Sequence, residues 1–222
     1  MNFKKTVLTA SLFAAIASSG MANASKSQLT VKLEGTILPA SCEIAQGGNA
    51  TTLSLGKISA SKLNDNSETH LPEVTTKIDI ICPAQTAISI QPTDVAEKAG
   101  QVVFMGMVQP AMFSLGATSD GRVIGGYFVK LQSSSKVDGH AVKKFISAPM
   151  GSTVWSDASQ EPLDASGKKM YSWSEAADSS PALGKTHSID LKFSPFISPA
   201  STLNTAETIQ LRGEATYDLV YL

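Results

Sequence analysis

Hydrophobic and polar residues alternate with a period of two at the carboxyl end of the chain. Over residues 208–222, the odd positions are mostly apolar or small and the even positions are mostly polar. Side chains at every second position share one face of an extended strand, so the pattern predicts a long, half-buried β-strand. Its predicted inward face consists of Ile209, Leu211, Gly213, Ala215, Tyr217, Leu219 and Tyr221.

A second alternating segment lies near the amino end, where residues 29–37 place apolar or small side chains at every odd position. One interpretation is that the segment is the domain's own first strand. The other is that it leaves the domain and adds a strand to a neighbouring copy, which is a known mode of β-strand recognition. The same face serves both interpretations: Leu29, Val31, Leu33, Gly35 and Ile37.

Between these ends the sequence pattern predicts many short strands and a single helix. Residues 74–81, 88–91, 102–108 and 187–193 are typical of strands, and residues 113–131 predict a hairpin around the turn Asp120-Gly121. Met105 and Met107 are interpreted as core packing residues. The one helical candidate, residues 93–99, ends before Gly100. Short strands at regular spacing predict an all-β sandwich or barrel.

Residues 1–24 have the three parts of a secretory signal peptide. Lys4 and Lys5 precede a short apolar run, and Ala22-Asn23-Ala24 is a typical cleavage site. We therefore expect residues 25–222 to form one exported domain, with no membrane span after cleavage. The whole chain has a net charge of −1 without clusters of one sign, which argues against nucleic acid or an anionic membrane as partner.

The chain has two cysteines, Cys42 and Cys82. An even count in an exported chain predicts one disulfide, and a loop of this length is worth about 4 kcal/mol in the chain-entropy model. No pair of cysteines or histidines has the spacing of metal ligands, so we expect no metal site.

Motifs for catalysis or cofactor binding are missing from the sequence. There is no G-x-S-x-G elbow, P-loop or G-x-G-x-x-G, so we expect no catalytic residue, no cofactor and no enzyme activity. The three histidines are interpreted as surface residues. The aromatic residues Trp155, Tyr171 and Trp173 have two interpretations, a sugar-binding surface on an adhesin or aromatic residues of the sandwich core or rim, of which the second is favoured.

Several motifs together resemble a known family. They are Gly35 seven residues before Cys42, the second cysteine 40 residues on, and the alternating last strand with its penultimate Tyr221. The chain resembles subunits of chaperone–usher fimbriae (pili). It is more closely similar to the GltF-like periplasmic and fimbrial family of uncharacterised function, through PASC at 39–42, LGKISASKLN at 55–64 and FSLGATSDGRVIGGY at 113–127.

The resemblance implies an immunoglobulin-like pilin β-sandwich that lacks one strand and is completed by a donated strand. The implied donor strand is the alternating face of residues 29–37. The implied edge for the chaperone is the face from Ile209 to Tyr221. The implied partners are a periplasmic pilus chaperone, an outer-membrane usher and neighbouring fimbrial subunits, and the implied route leads through the periplasm to the fimbrium at the cell surface.

Two departures from the pilin pattern keep an alternative open. Many pilins carry a glycine where this chain has Ile209, and the nearest glycine is Gly213. The donor segment also begins almost at the predicted cleavage site. The alternative is a self-complete periplasmic pilin-like protein with a ligand-binding or regulatory role.

Overall fold

The computed structural model describes residues 31–34, 41–45, 51–176 and 178–222. The predicted signal peptide lies outside these residues. The described residues from 41 to 222 belong to one compact unit. In the described part no helix is long and apolar enough to cross a membrane.

The compact unit is built almost entirely from antiparallel strands, which confirms the predicted all-β class. It also contains two short 3₁₀ turns, Ala60–Lys62 and Ala200–Thr202. The strands are β1 Glu43–Ile44, β2 Thr69–His70, β3 Val74–Asp94, β4 Val103–Phe104, β5 Met107–Val108, β6 Phe113–Ser114, β7 Gly125–Leu131, β8 Lys136–Val137, β9 His140–Ala141, β10 Lys144–Pro149, β11 Ser156–Asp157, β12 Lys169–Ser174, β13 Leu183–Ile197 and β14 Ala215–Tyr221.

Strand β3 belongs to two sheets at once. Its first part pairs with β1 on one side and β13 on the other, and β13 continues the first sheet through β7 to β6. Its last part pairs with β14 and contacts β12, which continues the second sheet through β10 to β11. The sequence pattern treated residues 74–81 and 88–91 as separate strands, but they are two parts of this one strand of 21 residues.

One hydrophobic core joins the two sheets. It contains Ile80, Val129 and Ile189 from the first sheet and Tyr171 and Trp173 from the second. Residues from both sheets bury apolar surface against each other here, which is the main favourable term in folding. Because Tyr171 and Trp173 are buried, the core interpretation of these two aromatic residues is confirmed.

The hairpin predicted at residues 113–131 is confirmed. Phe113 pairs with Tyr127, Ala117 bridges to Val123, and the Gly121 N–H closes the turn on the Thr118 carbonyl. The glycines at the start of β7 mark a close approach of backbones. A Cβ on Gly126 would lie 2.6 Å from the Phe113 carbonyl oxygen, and one on Gly125 would lie 2.2 Å from that of Phe196.

Three local predictions are wrong. Residues 93–99 do not form a helix, because Thr93 and Asp94 still belong to β3 and residues 97–100 form a turn with Lys98 at φ 66°. Met105 and Met107 are not core residues, since they lie in the exposed β4–β5 hairpin. His187 is not on the surface but fully buried beside Trp173.

Candidate functional site: the edge between the first and last strands

The disulfide predicted from the cysteine count is present. Cys42 and Cys82 are bonded and join the segment at β1 to the middle of β3. Beside it, β1 pairs with β3 through Glu43 opposite Ile81 and Ile44 opposite Ile80. The bond therefore fixes β1 on one edge of β3.

The last strand, β14, lies along the final part of β3. Ala215 pairs with Asp94 and Tyr221 pairs with Ile88. Strand β14 is shorter than the predicted strand of residues 208–222, because residues 208–214 have no regular strand pairing. They still run beside the core, where the Arg212 N–H donates to the Leu115 carbonyl. Gly213 suits this path, since a Cβ there would lie 3.0 Å from the Ser114 oxygen.

One edge of β14 has no strand partner in the described part of the chain, because β14 pairs only with β3. The Glu214 carbonyl accepts the Val95 N–H, and the Leu222 N–H donates to the Ala87 carbonyl. Backbone groups of successive residues in a strand point to opposite edges. The even residues of β14 therefore face β3, and the N–H and C=O groups of the odd residues face away from it.

The predicted inward face of the last strand is only partly covered. Gly213 and Tyr221 are exposed. The other five residues are half-buried against the core: Ile209, Leu211, Ala215, Tyr217 and Leu219. A strand in the middle of a closed sandwich buries its inward face fully. Among the described residues, no strand covers the neighbouring position beside β14.

A cleft of about 540 Å³ separates β14 from β1. The Cys42 N–H donates to the Tyr221 hydroxyl at 2.7 Å and thereby links the two strands at one end of the cleft. The sequence pattern singled out Tyr221 but gave no sign of this bond, because it depends on how the two chain segments meet. The cleft is lined by Cys42, Glu43, Ile44, Tyr217, Asp218 and Leu219.

Tyr217 brings a polar group to the base of this region. Its hydroxyl is buried and has no hydrogen-bond partner among the described residues. Burial raises the pKa of Tyr217 well above its usual range, and the nearby Tyr127 and Asp94 add to the effect. Tyr217 is therefore a neutral residue that packs on the core, and nothing in this setting suits it for acid–base work.

Of the segment with two interpretations, the structure describes residues 31–34 alone. These residues have no assigned strand, and Val31 and Leu33 are 70% and 93% exposed. Leu29, Gly35 and Ile37 lie outside the described residues. Whether residues 29–37 act as a donor strand stays a prediction at this point.

The remaining candidate residues do not gather into a second site. Trp155 is half-buried, apart from the buried pair Tyr171 and Trp173 in the core, so the three do not form one exposed aromatic surface. His70 and His140 are exposed, as predicted. Among the described residues, no cluster of histidine, cysteine and carboxylate side chains has the geometry to hold a metal ion.

One protein-family model matches part of the chain. Residues 31–119 match the family model of fimbrial proteins, which confirms the predicted resemblance over this part of the chain. No curated protein matches the chain significantly.

Two solved structures are similar to the chain at low identity. One is a chaperone–usher pilus, solved to reveal the molecular basis of rod uncoiling, with 12% identity over 89% of this chain and 97% of that chain and a TM-score of 0.40. The other is the crystal structure of the P pilus rod subunit PapA, with 13% identity over 82% of this chain and 100% of that chain and a TM-score of 0.40.

Proposed function

We propose that this chain, a fimbrial protein by the match of residues 31–119, is a structural or minor subunit of a chaperone–usher fimbria and contributes to adhesion at the cell surface. Its assembly by donor-strand complementation rests on one observation. The open edge of β14, with its half-buried inward face, lies across a cleft from β1. A strand inserted there would bond to the free backbone groups and cover the exposed apolar face.

The segment of residues 29–37 from a neighbouring copy has the properties such a strand needs. Its odd positions are apolar or glycine, and those described, Val31 and Leu33, expose their side chains. Burying Leu29, Val31, Leu33 and Ile37 in the cleft is worth roughly 6–12 kcal/mol as an upper bound. Backbone pairing along β14 adds to this, so the contact is strong enough for a lasting polymer bond.

Before assembly, the same edge needs a temporary partner. A periplasmic pilus chaperone that lends a strand to β14 would protect the cleft and keep subunits apart, and an outer-membrane usher would then exchange it for the next subunit. An exposed edge with an apolar face is otherwise a site of uncontrolled aggregation, which is the physical reason for such a partner.

The test uses two matched variants on the same strand. Leu219→Glu places a charge on the inward face of β14, and Thr216→Glu places the same charge on the outward face, where Thr216 is exposed. Each chain is expressed in the periplasm with a pilus chaperone. We also measure binding of a synthetic peptide of residues 28–38 and of the same peptide with Leu33→Asp.

We expect the native chain and Thr216→Glu to form one-to-one chaperone complexes and to bind the native peptide. Leu219→Glu should lose at least tenfold in affinity for both, and the Leu33→Asp peptide should bind weakly to every chain. A chain that is a stable monomer alone, melts cooperatively and ignores both chaperone and peptide would overturn the proposal. That result would favour the self-complete, ligand-binding alternative.

A further inference from the structure

The β4–β5 hairpin is an exposed apolar structure that the proposed assembly does not use. Val103 pairs with Val108 and Phe104 pairs with Met107, and in the described part of the chain these two strands pair with no other. The side chains of Val103, Met105, Met107 and Val108 are 45%, 74%, 60% and 54% exposed. They form one apolar patch, which we call the hairpin patch.

The hairpin stands on a packed base. The Phe104 ring lies 5.3 Å from the Phe128 ring, 4.8 Å from the Phe196 ring and 5.7 Å from the His70 ring. At the turn, the Met105 N–H donates to a Glu68 carboxylate oxygen at 2.8 Å. These contacts hold the strands in place, so the exposed patch is a defined surface.

The turn uses a residue type that does not favour its backbone conformation. Met105 and Gly106 have φ values of 50° and 76°. Two-residue hairpin loops of this kind favour asparagine, aspartate or glycine, and a methionine at positive φ is strained. Met105, at this strained position, also has the most exposed side chain of the hairpin patch. Strained residues cluster at functional sites, which fits a role for Met105 in a contact.

The outer strand β5 is an unprotected edge. Successive side chains of a strand point to opposite faces, and both Met107 and Val108 are more than half exposed, so β5 protrudes with both faces in solvent. Proteins usually guard such edges with lysine or other charges. Here residues 99–119 contain no charged residue, so the strand's own side chains bring no charge of one sign to the contact; the Glu68 carboxylate lies at the turn, on the Met105 N–H.

The pairing within the hairpin directs hydrogen-bonding groups outward. A two-residue loop makes Phe104 and Met107 the closing, hydrogen-bonded pair, so the N–H and C=O of Val108 point away from β4. An antiparallel edge is complementary to itself, because two copies related by a twofold axis exchange the same pair of bonds. A second copy of β5 therefore fits this edge in both hydrogen bonding and hydrophobicity.

We propose that β5 is a self-association site that pairs antiparallel with β5 of a second copy of this chain. The hairpin patch consists of four exposed side chains, far fewer than the roughly 20–30 residues that each partner contributes to a standard interface. Single copies therefore bind each other weakly. Many copies in one polymer bind strongly, because each contact raises the effective concentration of the next.

Twofold pairing has a consequence that rests on the proposed fimbrial role. In a polar fibre all subunits point the same way, so two subunits of one fibre cannot be related by a twofold axis across the fibre. The β5 contact must join subunits of different fibres. The hairpin patch is thus a site for lateral bundling of fibres, distinct from the β14 edge that would join subunits end to end.

The contact is tested on the soluble chain by cross-linking, independently of fibre formation. Val108→Cys places a thiol on β5, and Val154→Cys is a matched control, since Val154 is a valine that is 74% exposed elsewhere. A short bis-maleimide is added over a series of protein concentrations. We expect Val108→Cys to give at least fivefold more cross-linked dimer than Val154→Cys at each concentration. Equal yields would overturn the proposal, whether or not fibres form.

Bundling is tested with a charge on the edge. Met107→Lys places a positive charge on the edge strand β5, which disfavours its pairing with a second copy. Met150→Lys is the control, because Met150 is an exposed methionine outside the hairpin. Both variants should keep the thermal melting of the native chain and assemble single fibres. In electron micrographs, Met107→Lys fibres should lie separately, whereas native and Met150→Lys fibres form bundles. If Met107→Lys fibres bundle to the native extent, the proposed role of β5 is wrong, whereas the proposed role of β14 is unaffected.

Discussion

The buried pair of Trp173 and His187 makes stability depend on pH in a defined direction. The Trp173 indole N–H donates to His187 Nδ1 at 3.0 Å, and His187 Nε2 lies 3.1 Å from the Gly184 carbonyl oxygen and 3.2 Å from that of Thr86. Because Nδ1 accepts a bond, the ring carries its proton on Nε2 and is neutral. A second proton on Nδ1 would face the indole N–H and break this bond.

Burial lowers the pKa of His187 below its ordinary value of 6.5, although bonds to Gly184 and Thr86 and the charges of Asp138 and Glu175 act in the opposite direction. The unfolded chain takes up a proton below pH 6.5 that the folded chain does not. Stability therefore falls as the pH drops through this range. If the folded ring stays neutral throughout, the loss between pH 7.5 and 5 is about 2 kcal/mol.

The assay is urea unfolding of the native chain and of His187→Gln at several pH values in this range, with the disulfide intact. Other groups titrate here too; burial raises the pKa of Asp94, and this contribution strengthens the fold as the pH falls. Both chains share those groups, so the difference in slope isolates His187. We expect the free energy of unfolding to fall more steeply in the native chain. Equal slopes would refute the reasoning, because His187 would then accept its proton without unfolding.

Three further predictions concern the cleft and the core. Gly126→Ala should cost about 1–3 kcal/mol of stability by overpacking against the Phe113 carbonyl, measured by urea unfolding. Tyr221→Phe removes the acceptor of the Cys42 N–H bond and should speed association of the peptide of residues 28–38 in stopped-flow fluorescence; an unchanged rate would show that this bond does not hinder entry of the peptide at that end of the cleft. Replacing both Cys42 and Cys82 with serine should cost up to about 4 kcal/mol, and an unchanged melting temperature would contradict the loop-entropy argument.

The alternating pattern predicted which side chains of the last strand face the core, but not how far the strand extends. Residues 209–214 alternate as regularly as residues 215–221, yet only the latter pair with β3. Alternation records which face is covered and says nothing of the partner strand. For the same reason, the sequence alone gives neither the cleft beside β1 nor the bond between Cys42 and Tyr221.

Other predictions failed where a local signal was overridden by distant contacts. The sequence pattern predicts separate strands at 74–81 and 88–91, yet β3 continues through both to Asp94. Met105 and Met107 have apolar side chains typical of a core. Phe104 is the hairpin residue that packs on the aromatic rings beneath, so the two methionines face solvent. Alternation places His187 on the inward face of β13 with Ile189 and Leu191, but nothing in the sequence indicates its partner Trp173, which comes from another strand.

The bond between Cys42 and Cys82 gives the chain a defined response to mechanical load. A pull on the segment before Cys42 passes through the disulfide directly into β3, so the 40-residue stretch between the cysteines carries no tension. Without the bond, that stretch would release roughly 140 Å of slack under load. From β3 the force reaches β14 through strand pairing loaded lengthwise, where the hydrogen bonds resist together. If copies join at β14 as proposed, we expect each one to act as a stiff link that yields by strand sliding and not by unravelling from its amino end.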